Sequence, residues 1–360
     1  MANVNIPDDI IQNILARLPT KPLLRSRCVS RHWNRLVSDP YFMNARLRRK
    51  ILLVAPEFHT LEVSEPCGDD LVRLHYPFEC RTDGGVRDIR VIGTFTGIVV
   101  LVVNDHKDGK SKSANFTSHI ILYNPFTGAS EIIPDPYSPF YDNFGFTYGF
   151  GYGATKDQLK IVRFRNVNDN CYNCDVFNLK ERSWSTKEIL MKNKYFWGDV
   201  GTFLNGSLYW VSYKKIVSLD VNDMVISEIN LPCERIESAN HLFTLHGCLS
   251  LITRHKNSHS NKFNMWVMTN TEQGVKNSWS KSRLLTLDYP MADEDIIRGR
   301  VQILTLMDDG RILIKGARNE MIIYDTSKFS YKFLKPSPSY IKYYKDAIEY
   351  QESLISTLVI

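Results

Sequence analysis

The chain has 360 residues, 43% of them hydrophobic and 23% charged, the proportions of a globular protein with room for one large domain or two unequal ones. No run of eighteen apolar residues occurs, and "MANVNIPDDI" lacks an apolar stretch with a cleavage site, so neither a transmembrane helix nor a secretory signal is expected. The net charge of +6 is uneven: residues 1–50 hold ten Lys or Arg against three Asp, and the rest of the chain holds 35 basic against 36 acidic side chains, which points the basic segment at an acidic protein or a nucleic acid.

That basic segment reads as helix. In "PDDIIQNILARLP", Pro7, Asp8 and Asp9 suit a helix start, where a fixed φ and negative charge are favourable. Ile10, Ile11, Ile14, Leu15 and Leu18 recur at helical spacing, and Pro19 ends the run. After Thr20, Lys21 and Pro22, a second run carries Leu24, Cys28, Val29, Trp33 and Leu36 on one side. Arg25, Arg27, Arg31 and Arg35 occupy the remaining surface. Ser38 or Asp39 is the expected cap of a third short helix in "SDPYFMNARLRRK". Some forty residues bury too little apolar surface to offset their own chain entropy, so an apolar face left over there is a docking face.

From about Ile51 the period changes from helical to strand-like. Short β-branched and aromatic runs such as "TGIVVLVV", "LKIVRF", "NGSLYWVS", "GCLSLIT" and "DGRILIKG" alternate with Gly, Asn and Asp turns. A unit of turn, strand, variable loop, strand, polar turn and strand recurs roughly every 40–60 residues, the range of propeller blades. With a weaker copy in residues 51–80, about six units are expected. The strand around Leu354–Ile360 is expected to pair with the first unit and close a ring.

The phrase "IPDDIIQNILARLPTKPLLRSRCVSRHWNRLVSDPYF" resembles the F-box, the adaptor-binding motif of SCF-type ubiquitin ligases. The phrases "YGFGYGATKDQLKIVR" (148–163), "VFNLKERSW" (176–184), "NGSLYW" (205–210), "MWVM…GVKNSWSK" (265–281) and "EYQESLIS" (349–356) resemble the plant F-box-associated, kelch-like domain. Gly153 and Gln158 stand where that domain commonly has an acidic pair. The resemblance implies a helical F-box over 1–48 and an all-β, propeller-like substrate-recognition domain over 49–360. It also implies adaptor contact through Pro7, Ile11, Ile14, Leu15, Leu18, Pro19, Leu23, Leu24, Arg25, Cys28, Val29, Trp33 and Leu36. The implied partners are a Skp-type adaptor, through it a cullin scaffold, and a target protein. The chain itself would be a non-catalytic receptor without cofactor or metal.

The aromatic stretch 136–152 sets Tyr137, Phe140, Tyr141 and Phe144 among Pro, Ser, Asp and Asn, and "NKYFWGD" adds Trp197; these five are the candidate target contacts. Packing between sheets is the alternative for all five. "CYNC" (171–174) has zinc-like spacing without a second pair nearby, and the glycines of "GFGYG" (149–153) read as turn glycines. Seven cysteines at irregular spacing read as reduced thiols, placing the chain in cytoplasm or nucleus. Two other functions stay open. One is a nucleic-acid-binding regulator with Arg27, Arg31 and Arg35 on phosphates, although "LPTKP" is unlike the usual tight turn. The other is a propeller that binds a glycan or small molecule in its central channel.

Overall fold

Among the described residues of the computed structural model, three short helices and a further helical turn precede twenty-four strands, arranged as six four-stranded antiparallel sheets. The structure describes residues 6–356 except 40, 44–47, 55–57, 64–70, 75–86, 107–115, 136–145, 169–170, 191–199, 213–214, 233–240, 255–261, 270–277, 287–300, 308, 317–319, 335–345, 355 and the side chains of a few flanking positions. Among the described residues no helix is long and apolar enough to cross a membrane.

Five blades are each four consecutive strands running from the centre to the rim. Blade 2 runs from Arg87–Phe95 to Ser130–Ile133, and blade 3 from Thr147–Tyr152 to Ser183–Leu190. Blade 4 runs from Thr202–Leu204 to Ile226–Asn230, blade 5 from His241–Leu245 to Ser278–Thr286, and blade 6 from Gln302–Leu306 to Ser330–Phe333. Blade 1 takes three strands, Arg49–Val54, Phe58–Glu62 and Val72–Arg73, from the start of the ring, and its inner strand, Asp346–Gln351, from the other end of the sequence. The six inner strands touch in a closed circle, so the fold is a six-bladed propeller. Its apolar core lies as slabs between neighbouring blades, such as the one that packs Ile98, Val100 and Leu122 of blade 2 against Tyr148, Phe150 and Ile161 of blade 3.

Ring closure falls earlier than Leu354–Ile360. Asp346–Gln351 is the closing strand, antiparallel to Arg49–Val54 with Leu52 opposite Ile348. Charges reinforce the seam. The Arg49 guanidinium grips Glu349 at 2.6 and 3.0 Å and donates to Thr305 Oγ1 and the Leu306 carbonyl of blade 6. The buried Lys50 ammonium lies 2.7 Å from the buried Glu352 carboxylate.

The turn reading of "GFGYG" fits Gly153, in the bend after the strand, and is corrected for the other two glycines. Gly149 and Gly151 lie inside the inner strand of blade 3, where rings of blade 4 cover them. A Cβ on Gly149 would stand 2.8 Å from Trp210, and one on Gly151 would stand 2.3 Å from Phe203. These positions need the close approach of a neighbour, which only a residue without Cβ permits.

Two faces of the ring differ. On one, strands meet in short turns of recurring chemistry. The first hairpin of blade 4 turns on Asn205 and Gly206 at φ 48° and 81°, the left-handed pair of a type I′ turn. The later turns of blades 2, 3, 4 and 6 each open on an Asx side chain that accepts two backbone amides. Asn124 takes those of Phe126 and Thr127, Asn178 those of Lys180 and Glu181, Asp220 those of Asn222 and Asp223, and Asp325 those of Ser327 and Lys328. Four residues on, Gly128, Arg182, Met224 and Phe329 all have positive φ, so one turn design is repeated around the ring. On the opposite face successive blades are joined by the longer connections 74–86, 134–146, 191–201, 231–240, 287–301 and 334–345.

Candidate protein-docking surfaces

The helical segment folds as α1 (Asp8–Arg17), α2 (Thr20–Ser26) and α3 (Arg31–Ser38), with a further helical turn at 41–43. The run expected as one helix from Leu24 to Leu36 is two. Pro22 sits inside the first turn of α2, where a missing N–H costs nothing, and Ser30 starts α3 by accepting the Trp33 amide at 3.1 Å. Asp39, and not Ser38, caps the last turn, accepting the Tyr41 amide at 2.8 Å. Asp8 at the start of α1 meets His32 of α3 at 2.8 Å and holds the two helices across each other.

The core of this segment is completed by the ring. Ile11, Leu15, Leu23, Leu36, Val37, Phe42 and Met43 pack with Phe126 from the blade 2 turn, and Leu354 lies against the same cluster. Leu354, expected in a closing strand, is here a contact between helices and ring. Arg48 donates to the Arg17 carbonyl at 3.0 Å, closing the end of α1, and Asn124 Nδ2 donates to the Ser353 carbonyl at 2.9 Å. The helices therefore sit on the short-turn face.

Of the residues expected at an adaptor, Ile11, Leu15, Leu23 and Leu36 face inward, buried against one another. They shape the segment instead of offering surface, because a segment this small needs its largest aliphatic side chains for its own core. Leu18, Leu24 and Trp33 are half-buried at the edge of that core. Pro7, Ile14, Pro19, Arg25, Cys28 and Val29 are exposed. Sequence reasoning missed Ile6, Ile10 and Tyr41. Ile10 and Ile14, 48% and 53% exposed, lie one turn apart on α1, Ile6 just ahead of the helix is 49% exposed, and Val29 on the same segment is 64% exposed. The i, i+4 period of 6, 10 and 14 was the signal available, hidden because the neighbouring stripe of Ile11 and Leu15 is also apolar.

On the opposite face, Tyr137, Phe140, Tyr141, Phe144 and Trp197 lie outside the described residues. The ends that carry their connections are described. Connection 134–146 leaves blade 2 at Asp135 and enters blade 3 at Phe146, and Arg163 holds both ends. Its guanidinium meets the Asp135 carboxylate at 2.6 and 3.2 Å and lies 5.0 Å from the Phe146 ring centre. It also reaches buried Asp175 at 3.2 Å, which in turn accepts from Thr186. Arg163, Asp135 and Asp175 are all nearly inaccessible, and hydrogen bonding to Asp135 raises the Arg163 pKa against the cost of its burial. Connection 191–201 ends where the Gly201 amide donates to the Tyr148 carbonyl at 2.7 Å, which the Trp210 indole also reaches at 3.0 Å.

Cys174 of "CYNC" is packed among Val162, Phe164 and Trp210, and burial pushes its thiol up to about 12. Cys28, Cys174 and Cys248 carry free thiols, and among the described residues no cluster of three potential metal ligands occurs.

The architecture defines a class: a small helical unit carried on the turn face of a six-bladed propeller. Residues 4–44 match the family model of the F-box domain, and residues 75–328 match that of the F-box associated beta propeller domain. The chain belongs to the F-box associated beta propeller family, with an F-box ahead of the ring. Among proteins of Arabidopsis thaliana it is 26% identical to F-box protein At3g07870, over 92% of this chain and 87% of that one. It is 24% identical to F-box protein CPR1, over 93% and 86% of the two chains. It is also 24% identical to F-box/kelch-repeat protein At3g23880, over 98% and 96%.

Proposed function

We propose that the chain is the substrate-recognition subunit of an SCF-type ubiquitin ligase, with a helical adaptor-binding unit over 1–48 and a kelch-like, target-binding ring over 49–360. The observation that carries this reading is the exposure of Ile6, Ile10, Ile14 and Val29, on a segment that matches the F-box. Fully burying such side chains is worth roughly 1.5–3 kcal/mol each, enough for several half-covered residues to hold a partner. Arg17, Arg25, Arg31 and Arg35 are exposed on the same three-helix segment, which suits an acidic Skp-type adaptor and would speed its association. Pro7, Ile14, Leu18, Pro19, Leu24, Arg25, Cys28, Val29 and Trp33 are the expected members that reach the surface fully or in part. Ile6, Ile10 and Tyr41 join them.

In this mechanism the chain performs no bond chemistry. The adaptor links the helices to a cullin scaffold, and the long-connection face, turned away from the helices, holds the target near a ubiquitin-charged enzyme. Raised local concentration of target lysines does the rest. The assembly would operate in cytoplasm or nucleus, and its product would be a target marked for degradation.

The test is co-purification of the full chain with a Skp-type adaptor, against an Ile10→Asp, Ile14→Asp double variant. Both residues are exposed, so the variant keeps its fold. A complex with wild type that is lost in the variant is the expected result. Equal recovery of adaptor with both proteins, or none with either, would refute the assignment.

A further inference from the structure

The inner strands enclose a channel of about 850 Å³, within the range of small-molecule pockets. Charge gathers at its mouth on the long-connection face. Asp346 begins the inner strand of blade 1, His241 begins that of blade 5, Lys315 ends the second strand of blade 6, and Arg90 lies in the first half of the blade 2 inner strand. The Asp346 carboxylate accepts the Val91 amide at 2.8 Å and the Ala347 amide at 2.9 Å, and it faces both Lys315 and Arg90. The Arg90 guanidinium donates to the Phe146 carbonyl at 3.2 Å.

Among the described lining residues, Lys315 and Arg90 face the carboxylate of Asp346 at this end of the channel, and Lys156 lies in the blade 3 turn at the other end. Burial lowers the Lys315 pKa, with Asp346 opposing that shift. Burial, aided by Lys315, also lowers His241 to about 4, so His241 is neutral near pH 7. A desolvated ammonium and a guanidinium that face one carboxylate, in a walled concavity, are stabilised by a further negative charge that enters. The same walls focus the positive field toward the opening.

We propose that this channel mouth binds a carboxylate or phosphate group, carried either by a small free anion or by the acidic end of a peptide, with Lys315 and Arg90 as its principal contacts. The site is independent of adaptor docking, since the helices occupy the other face of the ring.

The test is thermal melting and titration of the full chain at fixed ionic strength. The probes are citrate, pyrophosphate, a short peptide ending in two glutamates, its amidated glutamine counterpart, and glucose as the neutral control. At saturation at least one anionic probe is expected to raise the melting midpoint by about 2–4 °C, and the amidated peptide and glucose to leave it unchanged. Lys315→Met and Arg90→Gln should each weaken that binding about tenfold or more, while Lys328→Gln, on the surface, should not. A small anion binding alone, or the acidic peptide alone, supports the site and names its source. The site is overturned if no anion exceeds glucose, or if both variants bind as wild type does. Should Lys315→Met fail to fold, as its circular dichroism would show, Arg90→Gln carries the comparison. Adaptor co-purification is read separately and is expected to be the same for all variants.

Discussion

The two faces of the ring are held in different ways. On the turn face the chain satisfies its own backbone within a few residues, as Asn124, Asn178, Asp220 and Asp325 each do for amides two and three positions on. On the long-connection face order comes from distant partners. Asp346 binds the amide of Val91, Arg90 the carbonyl of Phe146, and Arg163 ties Asp135 to Asp175. Local caps make a stiff, repetitive platform, which is where the helices sit. Anchors at the ends of connections hold the ring without local caps, a different solution to the same backbone problem.

Replacing the hub of the long-connection face should have the largest effect. Arg163→Ala leaves the Asp135 carboxylate buried without this cation, while Asp175 keeps Arg165 at 3.3 Å, and the change is expected to cost about 3 kcal/mol in urea unfolding. A loss below about 1 kcal/mol would show that the connection ends are held by packing alone. Asn124→Ala should cost less, about 1–3 kcal/mol, since it strips the acceptor from two turn amides and the donor from Ser353. Because Phe126 in that turn packs against the helices, the variant should also expose α1 to protease sooner than it exposes the strands. The smallest effect is expected from lengthening the connection 107–115 with four Gly-Ser residues, which should change stability by less than about 0.6 kcal/mol. A much larger loss there would erase the contrast between the faces.

The same contrast explains what the sequence disclosed. The strand runs, the unit count and the Gly, Asn and Asp turns between strands were readable because their chemistry is local. The closing strand was not. "DAIEYQ" looks polar beside "ESLISTLVI", yet Ile348 and Tyr350 pack inward while Asp346 bonds to blade 2 and Glu349 pairs with Arg49 of its own blade. An inner strand lining a channel need not be apolar, so hydrophobicity favoured the wrong segment by several residues. Gly149 and Gly151 misled for a related reason, since the rings that require them lie more than fifty residues away in blade 4. In the helices, periodicity found the apolar residues but could not say which stripe faces the core. That choice depends on Phe126 and Leu354, which belong to the ring.

Hydrogen exchange of the full chain with and without a Skp-type adaptor tests the division of labour most directly. The account predicts that added protection falls within residues 6–43, strongest along α1, while the strand ends on the long-connection face exchange as before. Protection appearing around Asp135, Phe146 and Asp346, with α1 unchanged, would place the adaptor on the wrong face and contradict the account.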